Sequence, residues 1–316
     1  MEHVHQLTKL GIGTGGAVAI AASANGILRH RAAGLSPPLG FSTELIRWRG
    51  MDIHVTSAGD PDADDLILFH RPHLVGSSRE FRAIVDTLAE RYHVIAPDLP
   101  GFGCSERPPL VYSGRLYEDF MHEFTRDEAD QPICIAPMLS AAYTLEAAQG
   151  SAMRALILVS PTTKATDRKY RRTRGLLRVP LIGTTVFNLM TSKPAIRKHL
   201  GRVVTNQAAI TPEDIDYAWQ SAHQPGARYS PASLLTGYLN VETDLVGAIA
   251  RLDIPVTLVW GRNATNPSLE DGQEIAERAG CRLVAIDQSK ALPHVDQPAA
   301  FLDVIRGELS PDQVTY

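Results

Sequence analysis

The chain predicts an α/β fold built on a mostly parallel, doubly wound sheet, and three observations carry that prediction. Short apolar runs recur along it, at Leu66-Ile67-Leu68-Phe69, Ile133-Cys134-Ile135-Ala136, Leu156-Ile157-Leu158-Val159 and Val256-Thr257-Leu258-Val259, and strands buried on both faces of a parallel sheet have this continuous character. Segments with helical spacing separate the runs, and strand and helix in alternation imply parallel strands with crossover helices. The length of 316 residues suits one such domain with an insertion. With 44% apolar and 21% charged residues, and 24 Gly and 21 Pro scattered through it, the composition excludes a disordered, collagenous or coiled-coil chain.

From Leu10 to Leu28 no side chain is charged, and Lys9 on one side and Arg29, His30 and Arg31 on the other bracket the stretch. Nineteen residues suffice to cross a bilayer, but the five glycines at 11, 13, 15, 16 and 26 and Asn25 make the segment weakly apolar. Three readings stand: a membrane-anchored or interfacial helix, a helix docked on this domain or a partner, and a cleavable signal ending near Ala22-Ser23-Ala24. Gly34 to Gly40 follows as a linker. Leu45 to Thr56 predicts two strands joined at Arg49-Gly50-Met51, Ser78 to Arg91 a helix, Val94-Ile95-Ala96 a strand, Leu139 to Gln149 a helix of small residues, and Leu283-Val284-Ala285-Ile286 a last strand.

The formal charge of −4 gives the molecule no bulk attraction for nucleic acid. Its three cysteines, Cys104, Cys134 and Cys281, are odd in number and far apart, which fits neither a disulfide framework nor a C-x-x-C site and points to a reducing compartment. The eleven histidines form no i, i+4 pair or H-E-x-x-H arrangement, so no metal is expected. No G-x-G-x-x-G follows a strand, so no nucleotide cofactor is expected either.

Val94 to Pro108, VIAPDLPGFGCSERP, resembles the strand-and-loop signature of the α/β-hydrolase superfamily. Pro293-His294-Val295-Asp296-Gln297-Pro298 is similar to that family's closing motif, and Leu258-Val259-Trp260-Gly261-Arg262 to its penultimate strand. The resemblance runs from about Arg47 to Leu309. It implies an α/β-hydrolase fold with a helical cap inserted before the penultimate strand, to which this chain adds an N-terminal helix. The expected domains are an N-terminal apolar helix and linker over 1–40, a core over 41–162 and 250–316, and a cap over 163–249.

The same resemblance puts a nucleophile on a sharp strand-to-helix elbow, where only small neighbours fit. Here Ser140, Ala141 and Ala142 take the places of those neighbours, which sets Met138 on the nucleophile position. A thioether has no proton to lose and forms no acyl intermediate. Counting back from Leu292-Pro293-His294, the position of the catalytic histidine falls on Ala291. The orienting carboxylate is expected after Arg262, where Asn263 stands. The oxyanion loop, which needs a backbone N–H, has Pro72. Ser140 and His294 are the fallback pair if the chemistry has moved. A ligand pocket is expected at His70, Pro72, Met138 and Leu139.

Between Lys164 and Arg202 eleven basic residues meet one acid, Asp167, so this stretch carries +10 and the rest of the chain −14. Leu176, Leu177, Val179, Leu181, Ile182, Val186, Phe187, Leu189 and Met190 lie among those charges, a composition that suits an anionic membrane surface. Arg168, Lys169, Arg171, Arg172, Arg174 and Arg178 are its expected contacts. Only Tyr170 interleaves to stack a base, so no nucleic acid partner is expected. The expected function is that of a non-catalytic α/β-hydrolase-like protein, membrane-anchored or membrane-peripheral with its soluble domain on the cytoplasmic side, which binds an apolar ligand or a membrane protein partner. The alternative is an active esterase or lipase-like hydrolase with a relocated nucleophile.

Overall fold

The computed structural model describes residues 19–32, 34–166 and 171–308. Eight strands form one sheet: β1 (Ser42–Trp48), β2 (Met51–Ala58), β3 (Asp65–Leu68), β4 (His93–Pro97), β5 (Ile133–Pro137), β6 (Ala155–Val159), β7 (Val256–Gly261) and β8 (Arg282–Ile286). Their spatial order is β1-β2-β4-β3-β5-β6-β7-β8. β1 and β2 form an antiparallel hairpin, β2 pairs antiparallel with β4, and every later pairing is parallel. The expected mostly parallel sheet is therefore present, and every residue of β5, β6 and β7 is buried, as crossover helices on both faces require.

The helical residues 19–31 form α1, and α2 (Val85–Ala89), α3 (Gly114–Glu128), α4 (Leu139–Ala148), α10 (Leu245–Ala250), α11 (Leu269–Ala279), α12 (Pro293–Asp296) and α13 (Pro298–Glu308) belong to the core. The helix expected over Ser78 to Arg91 is shorter than the pattern suggested. A single 3₁₀ turn, Ser78–Phe81, precedes the five residues of α2. The spacing argument also passed over α3, an amphipathic helix whose Ser113 cap accepts the Leu116 N–H. α4 is apolar nearly all round and buried along its length, as the central helix of a two-faced sheet must be.

One face of the sheet packs Trp48, Phe120, Phe124, Tyr117 and Tyr143 into a layer under α3 and α4. The other packs Phe81, Leu88, Phe301 and Ile305 under α2 and α13. The cap has a smaller core of its own, in which Phe187, Ile196, Ile215 and Ala218 meet Leu74 and Val75 of the sheet domain. Its helices are α5 (Arg171–Arg178), α6 (Ile182–Met190), α7 (Lys193–Leu200), α8 (Pro212–Ala222) and α9 (Tyr229–Leu235). α8 starts on a reciprocal capping box between Thr211 and Asp214.

The apolar amino-terminal segment is described only from residue 19. There it is a helix on the cap: the Asn25 amide donates to Thr185 Oγ1 at 3.1 Å, and Asn188 donates to Asn25 Oδ1 at 2.8 Å. No helix among the described residues is long and apolar enough to cross a membrane.

Candidate functional site at the strand–helix elbow

β5 ends at Pro137, and α4 begins at Leu139. Between them Met138 holds φ 56° and ψ −124°, a conformation that costs a non-glycine residue about 1–3 kcal/mol. Its N–H donates to Val159 O at 2.8 Å, and its carbonyl accepts from Ala141 and Thr162 at 3.2 Å. The side chain raised on the turn is thus a thioether, with the buried Leu139, Ser140, Ala141 and Ala142 packed behind it. Ser140 is fully buried and its hydroxyl donates to the His70 carbonyl at 2.6 Å, which turns it away from the elbow's open side.

Ala291 is buried in the loop before α12. His294 is also fully buried, its ring 5.4 Å from Phe81 and 5.6 Å from Phe301. Its Nε2 lies 3.2 Å from Glu80 Oε1. Glu80 in turn accepts from Arg71 Nε at 2.9 Å. Burial works upward on the Glu80 carboxyl, but Arg71 and then His294 outweigh it and hold the group below its ordinary value. Arg71, Glu80 and His294 are therefore a buried network without a serine or cysteine, although His294 Nδ1 is left without a hydrogen-bond partner in it. Asp296 is likewise structural: its carboxylate accepts the N–H groups of Thr205, Asn206 and Lys290 at 2.7–2.9 Å, which ties the cap to the loop under Ala291.

After β7, Asn263 is exposed and its N–H donates to Ser289 O at 2.8 Å. The buried residue of that turn is Ala264, so neither position offers a carboxylate. At the end of β3, His70 is wholly buried. Its Nδ1 lies 3.0 Å from Arg71 O, and its Nε2 accepts the Leu99 N–H at 2.9 Å. Burial lowers its pKa, so the ring is neutral at neutral pH. Pro72, next along, has no N–H to give.

His70, Pro72, Met138 and Leu139, where a ligand pocket is expected, line neither of the two cavities beside the cap. A cavity of about 90 Å³ lies instead between the loop over 71–82 and the cap, walled by Arg71, His73, Val75, Leu200, Ile210 and Leu292 among others. None of the four expected residues borders it. The cap is tied to the loop over 71–82 by Asp214 of α8, which pairs with Arg79 and Arg82. A second cavity, of about 310 Å³, was not anticipated from sequence. It lies between α1 and the cap and is lined by Asn25, Arg29, Leu181, Phe187, His223 and Arg228 among others.

Of the six basic residues expected on a membrane surface, Arg168 and Lys169 lie outside the described residues, and Arg171 and Arg172 open α5. The other two turn onto the protein. Arg174 stacks 3.8 Å over the Tyr238 ring, and Arg178 lies over Tyr229 and donates to the carbonyls of Pro109 and Leu110. The apolar residues of this stretch divide: Leu177 and Phe187 are buried, whereas Leu189 is 70% exposed and Leu176 and Ile182 are about half exposed.

Two clusters of chemistry-bearing residues escaped the sequence analysis, because their members come from separate strands. Ser57 Oγ lies 2.8 Å from His93 Nε2, whose Nδ1 is 2.8 Å from Asp65 Oδ1. This series sits at the amino edge of the parallel strands, opposite the elbow. The second brings His54, Asp98 and Cys104 within 4.8 Å of one another at the carboxyl end of β4.

Residues 66–304 match the model of the alpha/beta hydrolase family. The chain is 24% identical, over 254 residues, to an uncharacterised protein of Mycobacterium tuberculosis (strain ATCC 25618 / H37Rv), a match covering 74% of this chain and 72% of the relative. Among solved structures it is similar to a serine hydrolase involved in carbazole degradation, with a TM-score of 0.70 at 15% identity over 85% of this chain and 99% of that one. It is also similar to a membrane phospholipase A described as a bacterial virulence factor, with a TM-score of 0.66 at 18% identity over 97% of this chain and 99% of that one. This chain belongs to the alpha/beta hydrolase family.

Proposed function

We propose that the chain is a non-catalytic member of this family, a membrane-peripheral protein that binds an apolar ligand or a protein partner through its cap. The observation that carries the reading is Met138 on the elbow. The turn keeps the backbone geometry that presents a nucleophile and presents a side chain that is none. Ala291 in place of a base, Asn263 and Ala264 in place of an acid, and Pro72 in place of an oxyanion donor support the same reading from separate loops. Loss of one oxyanion donor alone costs about 10²–10³ in rate, so four substitutions together leave little for an acyl transfer to use. Binding has more to work with. The two cavities flank the cap, and exposed Leu176, Ile182 and Leu189 lie on its outer helices, where apolar contact with a lipid surface or a partner would form.

Turnover of p-nitrophenyl esters of short to long acyl chain tests the reading, with wild type beside Met138→Ser and Ser140→Ala. The expected outcome is background rate in all three, since a serine on the elbow still lacks a base and a donor. Wild-type turnover that vanishes in Ser140→Ala would overturn the non-catalytic reading in favour of an esterase with a moved nucleophile. Flotation of the same preparation with phosphatidylserine vesicles tests the peripheral part: recovery in the lipid fraction that falls as salt rises supports it, and equal recovery without vesicles removes it.

A further inference from the structure

His54 sits on β2 with 7% of its surface exposed, and neither ring nitrogen has a hydrogen-bond partner. A buried imidazole with both nitrogens idle is an anomaly that calls for something to satisfy it. Its Nδ1 points at Asp98 Oδ2 across 3.5 Å, in electrostatic reach but without the alignment of a hydrogen bond. Asp98, fully buried just past β4, is held in place from behind: Oδ1 accepts from the Ser78 N–H at 2.7 Å and the Ser78 hydroxyl at 2.9 Å, and Oδ2 from the Cys104 N–H at 2.7 Å. The Cys104 thiol completes the group. It is half-buried, with Tyr217 Oη 3.7 Å and Ser36 O 3.6 Å from its sulfur. Gly103, at φ 52°, lets the backbone pack directly against the Asp98 carboxylate, where a Cβ would collide with its oxygens.

We propose that His54, Asp98 and Cys104 form a binding site for a divalent transition cation of the zinc class. Imidazole nitrogen, carboxylate oxygen and thiolate sulfur are the three donor types such a cation takes, and three protein ligands leave a fourth tetrahedral position for water. A tetrahedral ion with bonds of about 2.0–2.3 Å sets its ligand atoms about 3.4–3.6 Å apart. The three donors, within 4.8 Å of one another, stand about 1 Å or less beyond that spacing and would have to draw together on the ion. The hydrogen bonds behind Asp98 are the outer support that ligating carboxylates need. Burial and the nearby Asp98 push the Cys104 thiol up to about 11, and binding releases that proton to solvent as the sulfur takes the metal. The buried Arg107 guanidinium interacts electrostatically with Asp98 and Cys104, while its terminal nitrogens donate to the carbonyls of Ser221 and Gly103, so an ion here shares the Asp98 charge with it.

The test is titration of the full chain, stripped with a chelator, with Co²⁺. The expected result is one equivalent bound, with a near-ultraviolet thiolate-to-cobalt charge-transfer band that Zn²⁺ displaces. Cys104→Ser should abolish the band, and His54→Asn should weaken affinity at least tenfold, while both variants melt as cooperatively as wild type. Asp98 also anchors its own loop, so the test does not rest on replacing it. The absence of stoichiometric binding, or a band that survives in Cys104→Ser and so comes from Cys281, would overturn the site. Since the readout is metal binding and not turnover, it stands or falls separately from the non-catalytic reading.

Discussion

The two edges of the sheet invert what the fold would lead one to expect. At the amino edge Ser57, His93 and Asp65 are hydrogen-bonded in series at 2.8 Å each, with Asp65 Oδ2 further held by the Asp130 N–H at 2.7 Å. At the carboxyl edge, where such sheets place their chemistry, the positions that the proposed reading assigns to nucleophile, base and acid are Met138, Ala291 and Asn263. Hydrogen-bonded order is nonetheless not catalysis. Ser57 lies within β2, paired on one side with Ser42 and on the other with Ile95, and a strand residue flanked on both sides spends its N–H in the ladder rather than on an oxyanion. Neither of the two cavities beside the cap borders it. The carboxyl edge has the strained turn, but the side chain on it is a thioether and the neighbouring Ser140 hydroxyl is committed to the His70 carbonyl. A triad needs a raised nucleophile, a base, its orienter and a donor pair around one open space, and in this molecule those requirements are divided between opposite edges.

The largest effect that would sharpen this contrast is expected from Glu80→Gln. It leaves Arg71 buried without a counter-charge, and removal of one partner from a buried pair costs about 3–5 kcal/mol, measurable as a lower urea midpoint. Glu80 and Asp98 both titrate below their ordinary values in the fold. Their stabilisation is therefore complete above the unfolded carboxyl values of about 4 and is lost as pH falls through the lower folded ones. Wild-type stability should fall below about pH 4.5, more steeply than that of Glu80→Gln. A variant with the wild-type acid slope would show that the network is not what holds the carboxyl edge.

A smaller effect is expected at the amino edge. His93→Ala should cost about 1–2 kcal/mol through the two hydrogen bonds it severs, and a fluorophosphonate probe should leave Ser57 unlabelled. Mass-spectrometric detection of the adduct on Ser57, absent in His93→Ala, would break the comparison and give the amino edge the chemistry. The smallest effect should come from Met138→Gly. Glycine occupies φ 56° without steric cost, so a gain of about 1 kcal/mol or less is expected in the urea midpoint. A loss would mean that Met138 is held by its side-chain packing and not imposed on by the turn.

Much was determined by the sequence alone. The buried strands, the hairpin at Arg49-Gly50-Met51, the turn at Met138 and the helix after it all follow from local pattern, because a buried parallel strand is a continuous apolar run and the elbow is a turn between neighbours in the chain. The 3₁₀ turn at Ser78–Phe81 and the missed α3 mark the limit of that kind of inference, since the length of a helix is set by what it packs against more than by its own propensity. Only the tertiary structure decided where the cap sits, that Arg174 and Arg178 turn inward onto Tyr238 and Tyr229, and that the amino-terminal helix rests on α6. It alone brought His54 to Asp98 and Cys104, from positions on β2 and past β4. Metal-ligand spacing can be seen in a sequence when the ligands share a helix or a short loop. Here the antiparallel pairing of β2 with β4 supplies the proximity, and which residues a sheet sets side by side is settled by strand order and register, which no local stretch of sequence contains.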